Sequence, residues 1–422
     1  MSGTAAALLP AAAVLLGAHP ASAGVLEALG CGSAEVDHLR HKPGRSVIGR
    51  VGGGGGARWV AGFAPAAGDK AAKLRRKAGA GGYALSEVEI PGAPGHVLMS
   101  GPVGLDNRLS AAVGEAGLLR ADGSPAGTVL NYNPWRRLVL QVRRPGGTGR
   151  DDAGPEGGTE TRDRRVVKTT VHPLHGLPGL LGELRARGVP VLVPRVGRDP
   201  RTLDYAHYGN GDLGVAWSGR PVGRVGAGAE EAAAAGRILA ALHSSGVRPD
   251  GVVDPRRGLM AVARGIADVL PGTATLAAAT ATELLRAVEP LQGRHVPLHG
   301  DFSADQVLGG PDGQRLIDLD RTAMGPAGWD VGCFAATELL AGRGETYLIP
   351  LQDAYRDLRD APTGVEAWTG VHLMLRALEP FRAARAGWER GVVDRLRLAA
   401  RMARGPGGQP GPPEAPENGG AR

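Results

Sequence analysis

Alternation of Val, Ile and Leu with polar residues marks two stretches of the chain as strand-rich. The first, Arg40–Phe63, reads as an extended run (HKPGRSVIGRV), a glycine run at Gly52–Gly56 and a second run (ARWVAGF). The second, Thr128–Thr170, repeats the plan with TVLNYNPWRRLVLQVRR, a polar loop and RRVVKTTV. Each first strand carries a Lys/Asn-Pro-x-Arg turn, so a duplicated β unit is expected in the N-terminal part. Leu174–Arg187 has helical content, Val189–Val196 reads as an apolar strand and Leu213–Val222 as another. In Ala229–Ser244, Ile238, Leu239 and Leu242 fall on one stripe with acids in the first turn, the pattern of a helix. The pattern stays helical to Glu289 and again over Asp330–Ala341, Ile349–Leu358, Gly364–Leu378 and Ala384–Ala403. A β-rich part followed by a helical part predicts an α+β fold in two lobes. The expected divisions are an N-terminal extension (1–125), a β lobe (126–225), a helical lobe (226–404) and a tail (405–422).

Composition changes this picture at three places. Gly (69) and Pro (32) approach a quarter of the 422 residues, concentrated in Pro145–Asp163 and Gly405–Arg422, which read as a flexible loop and a disordered tail. The net charge of +7 comes from Arg and Lys interleaved with acids, without a basic run laced with aromatics, so nucleic acid is not an expected partner. Met1–Gly24 is apolar, but no Lys or Arg precedes Arg40 and Pro10 interrupts it; a helix packed on the N-terminal lobe is expected in preference to an export signal. No stretch is long and apolar enough for a bilayer, so no membrane partner is expected. Cys31 and Cys333 stand far apart and form neither a disulfide framework nor a metal set, which suits a reducing compartment.

The segment that carries chemistry is His299-Gly-Asp-Phe-Ser-Ala-Asp-Gln306, followed by a Gly-Gly-Pro-Asp-Gly turn and Leu316-Ile-Asp-Leu-Asp320. Phosphoryl transfer needs a carboxylate to orient the attacking hydroxyl and accept its proton, and amide and carboxylate oxygens to hold the Mg²⁺ on the phosphates. Asp301, an amide five residues later at Gln306, and Asp318 after a turn supply all three. A passive surface turn has no need of three acids and an amide between apolar strands. Gly52–Gly56 lacks the Lys-Ser/Thr of a P-loop and reads as a hairpin tip. His172, His175, His207 and His295 have no metal-ligand spacing, and Trp59, Trp135 and Trp217 read as packing residues.

His-Gly-Asp-x-x-x-x-Gln and the later Ile-Asp resemble the aminoglycoside phosphotransferase and choline kinase superfamily, including its maltokinase-like branch. The resemblance covers about Thr128 to Asp330 and implies a protein-kinase-like fold. It implies Asp301 as catalytic base, His299 as the residue shaping the loop, and Gln306, in place of the commoner Asn, with Asp318 as the magnesium ligands. Asp330 in Gly-Trp-Asp-Val-Gly resembles the acid that braces this loop. Arg237–His243 is similar to the helix that precedes it, and Val166-Val-Lys168 resembles the strand lysine that grips the α- and β-phosphates, with Glu183 as its partner acid. The pattern departs at Asn131–Arg137, which replaces a glycine-rich loop over the triphosphate. The expectation is a cytoplasmic, monomeric kinase using ATP and Mg²⁺ on a hydroxylated small molecule, an aminoglycoside or a sugar. Asp320 to Trp329 is too short for a segment that docks peptides. The alternative is a pseudokinase that binds nucleotide as an interaction module.

Overall fold

The computed structural model describes residues 8–32, 34–52, 57–143, 164–209, 211–217 and 228–405. The single helix expected within Met1–Gly24 is two short ones, α1 (Pro10–Leu15) and α2 (Ser22–Ala28). Pro10 opens α1, where a missing N–H costs nothing, and Gly17 at φ +71° follows its end. The α1 helix lies on the first sheet so closely that a Cβ on Gly62 would sit 2.2 Å from the Ala11 methyl.

That sheet contains β1 (Val36–Lys42), β2 (Ser46–Val51), β3 (Arg58–Phe63), β4 (Ser86–Glu89) and β5 (Val97–Pro102), with α3 (Gly68–Gly81) between β3 and β4. After α4 (Ser110–Glu115) the same plan returns as β6 (Thr128–Asn133), β7 (Arg137–Arg143), β8 (Arg164–Thr170), α5 (Leu177–Ala186), β9 (Arg195–Val196) and β10 (Thr202–Ala206). Strand order is β1-β2-β3-β5-β4 in one sheet and β6-β7-β8-β10-β9 in the other, with a bulge in each first strand. The turn prolines align the two units. Ile48 and Val139 each stand five residues past that proline; Ile48 pairs with Ala61 and Val139 with Lys168. Ala61 thus stands in the first unit where Lys168 stands in the second.

The sheets share one core. Ile48, Trp59, Ala61 and Phe63 of the first unit are buried in one cluster with Tyr132, Leu138, Leu140, Val142 and Val167 of the second. Alternation then turns Arg137, Val139, Gln141, Val166 and Lys168 toward a cleft on the opposite face.

Two strand expectations are corrected. Within Val189–Val196 only Arg195–Val196 is strand, because Pro190 and Pro194 remove ladder donors; Val191 makes a single parallel bridge to Leu316. Leu213–Val222 begins with β11 (Gly211–Asp212) before it and α6 (Leu213–Trp217) in it, since the Asp212 carboxylate accepts the Val215 N–H at 2.8 Å and starts a helical turn. Residues 218–222 lie outside the described residues, as do 145–163, 406–422 and 53–56 of the glycine run.

The second half is helical: α7 (Ala229–Ser244), α8 (Pro255–Val269), α9 (Ala274–Val288), then α10 (Gly328–Leu340), α11 (Glu345–Arg356), α12 (Val365–Leu375), α13 (Glu379–Arg382) and α14 (Trp388–Arg404). The helix expected over Ala384–Ala403 starts at Trp388 after Gly387 at φ +66°, and α13 precedes it. Between α9 and α10 lie β12 (His295–Leu298), β13 (Val307–Gly310), β14 (Gly313–Leu316) and β15 (Ala323–Pro326). β12 pairs with β15 and β13 with β14, so the 299–306 and 317–322 connections meet. The chain is α+β with a β-rich and a helical lobe, as expected. β1 of the first unit also reaches the helical lobe at α13, where His41 meets the Phe381 ring edge-on at 6.4 Å. Among the described residues no helix is long and apolar enough to cross a membrane.

Candidate active site

The loop after β12 is fixed from beneath. Asp330, in the first turn of α10 and fully buried, accepts hydrogen bonds from His299 N at 2.7 Å, Gly300 N at 2.9 Å and His243 Nε2 at 3.1 Å. Burial works to raise its carboxyl, but the His243 hydrogen bond and charge, with the His299 amide, hold it below the usual carboxylate range. Tyr355 stands at 2.9 Å from His243 Nδ1 and fixes that ring. His299 Nε2 donates to Ile317 O at 2.8 Å, which leaves Nδ1 to accept from Asp301 N at 3.4 Å. His299 therefore joins the two loops. Gly300 makes the approach sterically feasible: at φ +85°, its Cβ would fall 2.2 Å from Arg321 O.

This bracing presents Asp301 with both oxygens engaged, one by Arg376 Nη2 at 2.8 Å and the other by Arg321 Nη1 at 3.0 Å. Burial opposes ionisation, yet Arg376 and Arg321 hold the carboxyl below its ordinary value. Cys333 lies beneath, its thiol pushed up by burial and so kept protonated.

Across the cleft, Lys168 is buried on β8 and its ammonium lies 2.5 Å from both Asp318 and Asp320. The second oxygen of Asp318 takes Arg137 of β7 at 2.9 Å. Asp318 adopts the left-handed conformation at φ +59°, uncommon without glycine, which aims its carboxylate at the sheet. Burial would raise it; Lys168 and Arg137 outweigh that and hold it far below the carboxylate range. The expected Lys168–Glu183 pair does not form. Glu183 is half exposed on α5 and pairs with Arg187 at 3.6 Å, because Leu177, Leu181 and Leu184 take the buried face. Asp318 and Asp320 neutralise the lysine instead.

Between these groups lies a cavity of about 620 Å³. Leu130, Val139, Val166, Leu192, Leu308 and Ile317 give it an apolar wall, and Lys168, Arg137, Gln306 and Asp318 a polar end. Those surroundings fit a planar base at one end and phosphates at the other. A hard cation also fits: the Gln306 Oε1 is buried and without a hydrogen-bond partner, in the cavity that Asp318 lines. No group of three or more His, Cys, Asp or Glu among the described residues makes a metal cage. That suits a cation which takes its other ligands from phosphates and water.

The loop residues His299, Asp301, Gln306 and Asp318 and the helix residue Asp330 thus come together, with Lys168 facing them, while Glu183 stays outside. Sequence reasoning missed Asp320, Arg321 and Arg376. Asp320 and Arg321 directly follow the Ile-Asp motif and could have been flagged by that adjacency; Arg376 lies on a helix end with no local signal.

Among solved structures, a choline/ethanolamine kinase family protein from Mesorhizobium loti is similar at 15% identity, over 70% of this chain and 94% of that one, with a TM-score of 0.48. An amicoumacin kinase in complex with AMP-PNP, Ca²⁺ and its ligand is similar at 11% identity, over 69% and 92%, with a TM-score of 0.49. A choline kinase from Streptococcus pneumoniae is similar at 13% identity, over 57% and 85%, with a TM-score of 0.42. No curated protein matches the chain in sequence. Residues 131–368, from β6 through the braced loop to α12, match the family described as the phosphotransferase enzyme family, and the chain belongs to it.

Proposed function

We propose that the protein is a cytoplasmic, monomeric kinase that moves the γ-phosphate of ATP to a hydroxyl of a small molecule of the aminoglycoside or sugar kind. The observation that carries the reading is the convergence, at one end of an apolar cavity, of a buried lysine, an orphaned amide oxygen and an aspartate, joined by His299 to the Asp301 loop.

Lys168 and Arg137 exchange Asp318 for the incoming phosphates, since a triphosphate brings more negative charge than the carboxylates it displaces. Gln306 Oε1 and the freed Asp318 would hold Mg²⁺. Bound there, the cation would supply positive charge against that developing on the phosphates. Asp301 accepts the proton of the acceptor hydroxyl and orients its oxygen for in-line attack. Arg321 and Arg376 keep Asp301 ionised, so its task is chiefly orientation; a carboxylate held this acidic is a weak base. Asp330, through His299 and Gly300, fixes where Asp301 stands.

Purified protein with γ-labelled ATP, Mg²⁺ and a panel of hydroxylated small molecules tests the reading. Label transfer that disappears in Asp301→Asn supports it. Mg-ATP binding without transfer to any member of the panel overturns it in favour of a nucleotide-binding module.

A further inference from the structure

Outside the lining of the cavity stand arginines contributed by three parts of the chain. Arg321 and Arg376 of the helical lobe hold Asp301 itself. Arg136 is exposed at the β6–β7 turn, and Arg382 is exposed on α13. Arg40 of β1 donates to Pro134 O in the same turn, so the first unit adds a cation where its β1 strand meets α13. The nucleotide cavity is lined by Lys168 and Arg137, not by Arg136, Arg321 or Arg382.

Counter-charge is scarce here. Asp301 has both oxygens in ion pairs, and Glu379 is held by Arg395 at 2.7 Å and shared with Arg376 at 3.8 Å. Asp106 faces Arg40 but is buried and saturated by Tyr132 OH, Trp135 N, Arg108 N and Leu109 N. Arg136 and Arg382 make no salt bridge among the described residues. Partial desolvation first, then the charges of Arg321, Arg137 and Arg108, lowers the basicity of Arg136. Partial desolvation also lowers that of Arg382, where Glu379 opposes and Arg136 and Arg321 add to it, and desolvation with Arg136 brings Arg40 down to about 10. Cations crowded this way with their carboxylates already spent favour an anion and repel an amine.

We propose that the acceptor is an anionic hydroxylated small molecule, bearing a phosphate or a carboxylate, which Arg136, Arg382 and Arg40 bind while its hydroxyl meets Asp301. The proposal rests on the kinase reading above and narrows its acceptor: a polycationic aminoglycoside is excluded and a sugar acid or sugar phosphate is favoured.

The experiment is steady-state kinetics with Mg²⁺ and γ-labelled ATP on matched sets: glucose, glucosamine, gluconate, glucuronate and glucose 6-phosphate, with glycerol, glycerate and glycerol 3-phosphate, and kanamycin. The carboxylate and phosphate arms tell the two anion types apart. Expected is a kcat/KM at least tenfold higher for an anionic member than for its neutral or amino counterpart. In Arg382→Gln and Arg136→Gln the acceptor KM should rise about tenfold or more, with the ATP KM unchanged, and Arg382→Lys should recover most of it. Both sites are exposed, so folding is not at stake. Turnover confined to neutral or amine-bearing acceptors, or an unchanged acceptor KM in both Gln variants, overturns the proposal and leaves the kinase reading standing. Absence of transfer to every acceptor overturns both.

Discussion

Both oxygens of the Asp301 carboxylate are spoken for by guanidinium groups, so replacing it has two consequences. On the proposed mechanism, Asp301→Asn removes the proton acceptor and the charge that Arg321 and Arg376 face, while Mg-ATP would rest on other groups. Turnover should fall by about 10²–10⁴-fold, with nucleotide affinity close to wild type by calorimetry. Because Arg376 and Arg321 outweigh burial and hold the carboxyl below its ordinary value, Asp301 loses its charge at a lower pH than an ordinary aspartate. Gln306 offers a different test, since its orphaned Oε1 is the group at issue. Asn keeps a carbonyl oxygen one methylene back; Leu keeps volume but offers none. The concentration of Mg²⁺ needed for half-maximal rate should rise modestly in Gln306→Asn and steeply in Gln306→Leu. An equal Mg²⁺ response in the two variants would remove Gln306 from the cation site.

Helix α12 carries His372, 2% exposed, edge-on to Trp329 and 3.3 Å from Arg376, the residue that grips Asp301. Burial first, then Arg376, push its folded-state value down to about 3 from the ordinary 6.5. The unfolded chain therefore takes up the proton first as pH falls. Stability tied to this neutral imidazole is intact above pH ~6.5 and drains away toward pH ~3 at up to about 1.4 kcal/mol per unit. In His372→Leu the slope of unfolding free energy against pH between 6 and 4, measured in urea, should be shallower by about that amount; an unchanged slope would mean that the ring is protonated in the fold. Nothing in the sequence marks this helix as part of the site: its apolar pattern is that of any core helix, and Arg376 meets Asp301 only because α12 packs against α10. The 299–320 segment was readable because nearly all its chemistry is local, the turn at 310–313 returning Asp318 to the Asp301 loop. Glu183 was misjudged on the opposite ground. It is the acid in the right element, but the leucines of α5 decide which way that element faces. Leu213–Val222 was misread because its apolar residues follow an Asp whose side chain starts a helix.

At the scale of the whole molecule, two units of one topology lie in series, and among the described residues only the second lines the apolar cavity. Repetition was visible in the sequence as the two Pro-containing turns; what the sequence did not show is how the copies stack. Ile48 and Ala61, the counterparts of Val139 and Lys168, are buried against the far side of the second sheet, beside Leu138 and Leu140. The face that in the second unit holds a lysine over the cavity is, in the first, filled with protein and stripped of its cation. A run of glycines cannot compensate, because backbone N–H groups alone leave most of a triphosphate's charge unmatched. Nucleotide use should therefore depend on Lys168 and not on Gly52–Gly56. Lys168→Ala should raise the ATP KM or cut turnover on the order of a hundredfold, since it deletes the cation at the phosphate end and leaves Asp320 without its partner. Replacing 52–56 by a two-residue turn should leave both constants within about twofold and lower the melting temperature only slightly. Because unfolding of Lys168→Ala would imitate loss of ATP use, Lys168→Met, which keeps the buried stem, is measured beside it, together with the circular dichroism of each. A trimmed glycine run that disables ATP use, with Lys168→Met at wild-type rate, would make the first unit the nucleotide lobe despite its filled face.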